Sequence, residues 1–335
     1  KLVAIPYTEF DAALRAAHLL VATKPGAIET IDDTIVGLAK GDVIWHSVAH
    51  LIDAPTEPPA AAINLVEFES DDPAVVDAKV VELLEALDAE RGLPGKSCGY
   101  TVAVEKKDIA ALWSLRKKGV GLLGNAKGER RPVPFVEDTA VPPEHLADYI
   151  RDFRALLDAH GLRYGMFGHV DVGCLHVRPA LNMKDPGDEK LLHEISDGVV
   201  ALVKKYGGVL WGEHGRGYRS EYTPSFFGAE LYEELRHVKT AFDPHNQLNP
   251  GKLATPSTST DKLVSVGAMK RGAFDRQIPA PVREKYDVAV HCNGNGACFD
   301  WNPDSVMCPS SKVTSDRIHS PKGRAGILRE WLRLT

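Results

Sequence analysis

Two short glycine-containing runs carry the side chains best suited to chemistry, and they lie at residues 168–176 and 212–215. Together they supply three histidines and two carboxylates: His169, Asp171, His176, Glu213 and His214. Imidazole together with carboxylate suits a borderline divalent metal such as zinc, manganese or iron. Residues seven apart in an extended strand point to opposite faces, so His169 and His176 can reach one ion only if the backbone bends. Gly173 offers the place to bend, and the pattern predicts a metal site over the alternative of hydrogen-bonded core histidines.

Short apolar strands alternate with amphipathic helices as far as Leu253. Strands are expected at 2–6, 27–32, 61–68 and 99–104, and as a pair across the first histidine run. Helices are expected at 8–22, from 71 onward, at 107–117, from 142 onward, at 188–206 and at 229–242. The absence of a G-x-G-x-x-G or P-loop string argues against dinucleotide binding by the familiar route. The predicted fold class is α+β, with an antiparallel sheet and helices on one face, as in ferredoxin-like domains.

The composition of the chain changes after Leu253. A polar stretch rich in Ser, Thr and Pro follows, and such composition indicates a linker. Three of the five cysteines lie beyond it, and a last helix is expected at 327–334. We therefore expect a substrate-binding domain at 1–255, a linker at 256–285, and a small, mostly helical or irregular cysteine-containing segment at 286–335.

Length and charge limit the classes of function. The chain has 335 residues and a net charge of −6, which argues against non-specific nucleic-acid binding. No apolar stretch approaches the roughly 18 residues that span a bilayer, and the five cysteines fit a reducing cytoplasm. Peripheral association with the inner face of the membrane is compatible with this, although no residue argues for it. The chain opens in strand-like sequence without a Met, which indicates a piece of a longer protein.

Three strings in order along the chain resemble a known family: GHVDVGCLH, GEHGRG and FDPHNQLNPGKL. They are similar to the C-terminal half of the FAD-linked oxidases that act on D-2-hydroxy acids. That family includes D-lactate and D-2-hydroxyglutarate dehydrogenases and glycolate oxidase. The tail HCNGNGACFDW, MCPS and DRIHSPKGRA resembles the large bacterial D-2-hydroxyglutarate dehydrogenases that carry both flavin and iron–sulfur. The first string departs from the family's usual G-H-x-G-D-G-N-L-H, because only the two histidines keep their places among its polar residues.

The resemblance implies roles for four residues. His169, His176 and Glu213 match the family's divalent metal ligands, usually zinc, and His214 matches its proposed general base. Oxidation of a D-2-hydroxy acid removes the hydroxyl proton while the α-hydrogen leaves as hydride to flavin. A metal chelated by hydroxyl and carboxylate oxygens lowers the hydroxyl pKa, and a neutral imidazole takes the proton. The alternative for His214 is that it only orients a metal ligand.

Guanidinium groups should hold the substrate carboxylates, because arginine binds carboxylate with two parallel hydrogen bonds. Arg116 matches the family's substrate arginine on the capping helix, the alternative being a solvated basic helix face. Arg178, two residues past His176, returns to the same strand face. We expect Arg178 to hold a second carboxylate, unless it pairs with a nearby acid. Asn249 and Lys252 resemble the segment that returns toward the flavin.

The cysteines after the linker resemble an incomplete iron–sulfur run. Such a run usually reads C-x2-C-x2-C-x3-C-P. Cys292 and Cys298 keep the outer positions with Asn295 between them, and Cys308 precedes a proline after nine intervening residues. Three thiolates are one short of the usual four, so either a fourth ligand lies beyond Thr335 or another group completes the set. A zinc site and reduced free thiols are the alternatives.

The resemblance predicts a fragment of a flavin-dependent dehydrogenase for a D-2-hydroxy acid, with D-2-hydroxyglutarate favoured. The family's FAD-binding N-terminal domain is missing from this chain, so the fragment alone should bind little flavin and be inactive. Electrons would pass from FAD to a 4Fe-4S cluster in the full-length protein. The expected partners are a small 2-hydroxy acid and the rest of the polypeptide, without nucleic acid. Two alternatives stay open: a metal-dependent hydrolase using the His/His/Glu set, and a non-catalytic electron-transfer or assembly domain.

Overall fold

The computed structural model describes residues 1–53, 59–125, 128–214, 219–292 and 296–335. The strands are β1 (Leu2–Tyr7), β2 (Ala27–Ile31), β3 (Ala62–Glu67), β4 (Thr101–Ala103), β5 (Arg131–Pro132), β6 (Thr139–Ala140), β7 (Tyr164–His169) and β8 (Cys174–Leu181). The helices are α1 (Phe10–Ala22), α2 (Asp33–Lys40), α3 (Trp45–Ile52), α4 (Pro73–Ala89), α5 (Lys106–Gly124), α6 (Leu146–Ala159), α7 (Pro186–Lys205), α8 (Thr223–Phe242), α9 (Arg271–Asp275), α10 (Ala280–Val290), α11 (Pro309–Thr314) and α12 (Pro321–Leu334). Short 3-10 helices occupy Pro143–His145, Ser220–Tyr222, Ala297–Phe299 and Arg317–His319.

The described strands form one sheet in the order β4-β1-β3-β2-β7-β8-β5, with β6 also paired to β8. Every pairing is antiparallel. Its first four strands, with α1 after β1 and α4 after β3, have the ferredoxin-like arrangement. The predicted α+β class with an antiparallel sheet is therefore confirmed.

Helices cover both faces of this sheet, whereas one covered face was expected. The first face packs against α1, α4, α6 and α7. The second face packs against α2, α3 and α5. Strand β1 shows the reason, because Val3 and Ile5 join the first core while Leu2 and Ala4 join the second. Its unbroken apolar run is the pattern of a strand buried on both sides, and the sequence analysis assigned no helix to 33–52.

The first histidine run forms the β7–β8 hairpin, as the sequence predicted. Its turn carries the chain through Gly173, where φ is +67°. A Cβ built on Gly173 would lie 1.8 Å from the carbonyl oxygen of Val141, so only glycine fits this turn. The hairpin pairs His169 with Cys174 and Phe167 with His176. Both histidines consequently stand on the second face of the sheet.

The segment after Leu253 stays packed against the domain. Val266 is fully buried in the first-face core, and Ile278 is 4% exposed. Asp275, at the end of α9, accepts a hydrogen bond from Arg329 of α12 at 2.6 Å. The expected linker is thus anchored at several points, and the domain boundaries at 255 and 285 stay predictions. Among the described residues, no helix has the length and apolarity needed to cross a bilayer.

Candidate active site

The side chains of His169, His176 and His214 converge on one oxygen of Glu213. The Nε2 atoms of His169 and His176 lie 3.1 and 3.0 Å from Glu213 Oε1. Nε2 of His214 lies 3.4 Å from the same oxygen. The two glycine-containing runs therefore meet at one point. The fifth side chain of that set, Asp171, accepts a hydrogen bond from the Val172 amide through its Oδ1.

His214 is stacked on His176 at the open side of this cluster. Their ring centroids are 4.7 Å apart with an interplanar angle of 11°. The His214 side chain is 47% exposed, whereas that of His176 is 6% exposed. This difference fits a buried ligand beside an accessible imidazole that a small molecule can reach.

Asp138 holds the turn that presents Glu213 and His214. Its Oδ1 accepts the Glu213 amide at 2.8 Å and its Oδ2 accepts the His214 amide at 3.1 Å. Its carbonyl oxygen accepts the Gly212 amide at 2.7 Å. A Cβ on Gly212 would lie 2.8 Å from Cys174 Sγ, so this close approach requires glycine. The sequence analysis assigned Asp138 no role.

Ligand atoms of four side chains lie within 4.8 Å of one another: Asp138, His176, Glu213 and His214. His169 is not in that group, although it contacts Glu213 directly. Glu213 Oε1 is the common point of the histidine cluster, since one nitrogen of each of the three imidazoles lies within 3.4 Å of it.

Glu29 on β2 lies directly opposite His169 on β7. Its Oε1 is 2.7 Å from His169 Nδ1, and its Oε2 accepts from Arg116 Nε at 2.6 Å. Burial favours the neutral form of Glu29, but the bond from His169 and the Arg116 charge prevail and lower its pKa. Glu29 is not among the site residues predicted from the sequence. A charged residue inside the apolar strand sequence AIETI was the available signal.

The two predicted substrate arginines lie beside the same aromatic ring. The guanidinium carbons of Arg116 and Arg178 are 4.6 and 5.7 Å from the centroid of Phe167. Arg178 Nε donates to Glu137 Oε2 at 2.8 Å, which is the acid pairing left open for it. Among the described residues, neither arginine donates a hydrogen bond through its Nη atoms.

The pKa values of the two strand histidines shift in opposite directions. Burial, helped by the neighbouring His214 and Arg116, lowers the pKa of His176 to about 3, so this imidazole is neutral. The hydrogen bond to Glu29 outweighs burial and raises the pKa of His169. Imidazole nitrogens and a carboxylate oxygen are the donors that zinc prefers. The donor atoms of His169, His176 and Glu213 therefore fit a zinc ion by their chemistry, and each of the two imidazoles contacts the carboxylate.

The remaining predicted site residues are not brought to the cluster. Asn249 is exposed and Lys252 is half-buried in the loop after α8. Among the described residues, the ion-pair partners of the three histidines are Glu29, Glu137, Asp138 and Glu213, and neither Asn249 nor Lys252 is one of them. Their assignment to the flavin side stays a prediction.

The three late cysteines do not form a group of metal ligands among the described residues. Cys292 is exposed, while Cys298 and Cys308 are half-buried. Cys308 Sγ lies 3.5 Å from the carbonyl oxygen of His319. Asn295, placed at the middle of the run, lies outside the described residues. Cluster binding by these cysteines stays a prediction.

Comparison with known proteins gives the same family as the motifs. Residues 1–253 match the family described as FAD linked oxidases, C-terminal domain. The chain is 54% identical to D-2-hydroxyglutarate dehydrogenase of Pantoea ananatis, covering 100% of this chain and 33% of that protein. It is 56% identical to D-2-hydroxyglutarate dehydrogenase of Pseudomonas putida, covering 99% of this chain and 33% of that protein.

The chain thus spans about one third of the length of the curated relatives it matches. Among solved structures, 4-ethylphenol oxidase from Gulosibacter chungangensis is similar with a TM-score of 0.54 and 17% identity. That alignment covers 76% of this chain and 54% of the other, and it supports the fold alone. The match to residues 1–253 covers most of the chain. The chain therefore belongs to the FAD linked oxidases, of which it contains the C-terminal domain.

Proposed function

We propose that this chain is the substrate-binding part of a flavin-dependent dehydrogenase that oxidises a D-2-hydroxy acid, D-2-hydroxyglutarate being favoured. The convergence of three imidazole nitrogens on Glu213 Oε1, within 3.0–3.4 Å, carries the proposal. Relatives at 54% and 56% identity that are named D-2-hydroxyglutarate dehydrogenases support the choice of substrate.

The two arginines explain why a dicarboxylate is favoured. Arg116 and Arg178 flank one aromatic ring, and among the described residues each pairs with a glutamate through Nε while its Nη atoms donate no hydrogen bond. Paired N–H donors bind a carboxylate with two parallel hydrogen bonds. Arg116 would hold the carboxylate next to the hydroxyl-bearing carbon, and Arg178 would hold the distal one. A monocarboxylate would use only the first.

His214 is assigned the role of base. Its ring is accessible and stacked on a neutral imidazole, so a substrate hydroxyl can approach one of its nitrogens. A neutral imidazole accepts such a proton near neutral pH. Asp138 fixes the backbone of His214 and thereby the position of the ring relative to the substrate.

His169, His176 and Glu213 would hold the divalent metal. When bound, the metal supplies a Lewis acid, FAD held mainly by the rest of the polypeptide supplies the oxidant, and a 4Fe-4S cluster receives the electrons. Asn249 and Lys252 would face the flavin, and Cys292, Cys298 and Cys308 would contribute to the cluster. The assignment includes a cytoplasmic location and no nucleic-acid partner.

The test uses the full-length protein and measures dye reduction with D-2-hydroxyglutarate, D-lactate and glycolate, together with zinc content. The expected result is oxidation of D-2-hydroxyglutarate with the highest kcat/KM and about one equivalent of zinc per chain. The double variant His169→Ala, His214→Gln should retain less than about 1% of the wild-type rate.

Two results would contradict the proposal. Activity that survives in the double variant would exclude the assigned metal ligand and base. Hydrolysis of an ester or amide, with no dye reduction by any of the three acids, would favour a metal-dependent hydrolase instead.

A further inference from the structure

We propose that Glu29 and Glu137 are positioning residues, each of which fixes one substrate-binding arginine and stands beside one histidine of the site. The inference rests on the proposed function, because the arginines and histidines take their roles from it. Neither glutamate is a metal ligand or a base in that scheme. Each acts through the side chains that it holds.

One carboxylate oxygen of Glu29 contacts a proposed metal ligand, and the other contacts a proposed substrate-binding arginine. Oε1 is 2.7 Å from His169 Nδ1, and Oε2 accepts from Arg116 Nε at 2.6 Å. The Glu29 side chain is only 8% exposed, so water competes little for these bonds. Its position is set by the sheet, because β2 pairs Glu29 with His169 in register.

Glu137 makes the corresponding pair of approaches, one to the second arginine and one to His214. Its Oε2 accepts from Arg178 Nε at 2.8 Å, and its Oε1 lies 3.9 Å from His214 Nδ1. The backbone at Glu137 is fixed as well, since its carbonyl oxygen accepts from Arg219 Nη2 at 2.8 Å. Glu137 therefore accepts a hydrogen bond from Arg178, whereas its distance to His214 is too long for a hydrogen bond.

The consequences of these contacts differ between the two glutamates. A proton on His169 Nδ1, donated to Glu29, leaves the Nε2 lone pair for an ion. Binding of Arg116 Nε orients the guanidinium and leaves its Nη donors for a carboxylate. Glu29 thus serves both the metal and the first carboxylate. Glu137 serves the second carboxylate through Arg178 and has no contact with a proposed metal ligand among the described residues.

The experiment compares Glu29→Gln and Glu137→Gln in the full-length protein, because glutamine keeps the size of the side chain. Zinc affinity is measured by competition with a chelator, and KM and kcat are measured for D-2-hydroxyglutarate and D-lactate. Glu67→Gln is the matched control. Glu67 lies on the adjacent strand β3 and accepts from Trp113 of the same helix α5, without touching the site.

Glu29→Gln should weaken zinc binding by about 10–100-fold and raise KM for both acids. Glu137→Gln should leave zinc affinity within about twofold and raise KM for D-2-hydroxyglutarate by about tenfold, because a neutral amide accepts a weaker hydrogen bond from Arg178 than a carboxylate does. KM for D-lactate should change little in Glu137→Gln, because this acid has no second carboxylate. Glu67→Gln should behave as the wild type.

The inference is overturned if Glu29→Gln keeps wild-type zinc affinity, or if Glu137→Gln affects both acids equally. Glu29→Asp keeps the charge with a shorter reach, and zinc affinity between those of wild type and Glu29→Gln would support the inference. If Glu29→Gln does not fold, wild-type zinc affinity in Glu29→Asp overturns it. If the wild type oxidises neither acid, the proposed function is refuted. If Glu29→Gln nevertheless weakens zinc binding, the positioning of His169 by Glu29 still stands.

Discussion

The histidines of the sheet and the cysteines of the C-terminal segment are both candidate metal ligands, but different structures hold them. His169 and His176 lie on two paired strands, and the register of this pairing fixes their relative positions. Cys298 lies in a three-residue 3-10 helix, and Cys308 has a left-handed backbone with φ of +43°. A site on a sheet is assembled by folding, whereas ligands on loops come together when an ion or another segment binds them.

The largest effect that distinguishes the histidine cluster from the cysteine segment is expected from removal of the proposed base, His214. His214→Gln should lower kcat by about 10²–10⁴-fold, because the substrate hydroxyl loses its proton acceptor. Zinc content should stay at the wild-type level, since His214 is not a proposed ligand. The exposed His18 on α1 gives the control His18→Gln, for which we expect wild-type turnover. Loss of zinc together with activity in His214→Gln would make His214 a ligand instead.

Asp32, the N-cap residue of α2, is a buried acid whose protonation should control the free energy of unfolding. Asp32 is 0% exposed, and its oxygens accept the amides of Ile35 and Met166, at 3.0 and 2.7 Å. Burial raises the pKa of Asp32 from 3.8 to about 7. The folded state therefore binds more protons than the unfolded state between these values, and its stability decreases as pH rises through this window.

A rise in the pKa of Asp32 from 3.8 to about 7 corresponds to a loss of up to about 4 kcal/mol in the free energy of unfolding across this window. Asp32→Asn cannot titrate, so its unfolding free energy should vary less with pH. Urea unfolding at several pH values across the window measures both slopes. Equal slopes in wild type and Asp32→Asn would show that the buried carboxyl is not responsible.

A smaller effect on the free energy of unfolding is expected at Asp138, which accepts the amides of the second glycine-containing run. Asp138→Ala leaves the amides of Glu213 and His214 without their acceptor and should cost about 1–3 kcal/mol of unfolding free energy. Asp138 has a φ of +72°, which asparagine tolerates better than alanine. Thermal unfolding should therefore rank Asp138→Asn between wild type and Asp138→Ala. Equal destabilisation by Asp138→Asn and Asp138→Ala would mean that the charge, which both variants lack, and not the hydrogen bonds stabilises the turn.

The smallest effect on zinc is expected in the C-terminal segment. Cys292→Ser, Cys298→Ser and Cys308→Ser should each leave zinc content unchanged, because none of these side chains lies in the histidine cluster. If they bind an iron–sulfur cluster, iron content of the full-length protein should fall. Metal analysis by mass spectrometry measures both elements at once. Zinc loss in any of these variants would contradict the separation of the two regions.

Much of the architecture could be predicted from local patterns. The apolar strands, the longer helices and the β7–β8 pair are predicted from the sequence, and the two glycine-containing runs single out His169, His176, Glu213 and His214 together. Two of the three helices on the second face, α2 and α3, were missed because they have only eight residues each. Helices of two turns leave too short a periodic signal to recognise.

The sequence by itself determined the class of chemistry, because imidazole, carboxylate and guanidinium groups at these spacings restrict the ligands that can bind. Only the tertiary structure decided that Glu29, Glu137 and Asp138 hold those groups. Glu29 reaches His169 across 140 residues of chain, through strand pairing that no local pattern specifies. Side-chain partners of this kind depend on which strands become neighbours, and that choice is made by burial on both faces of the sheet.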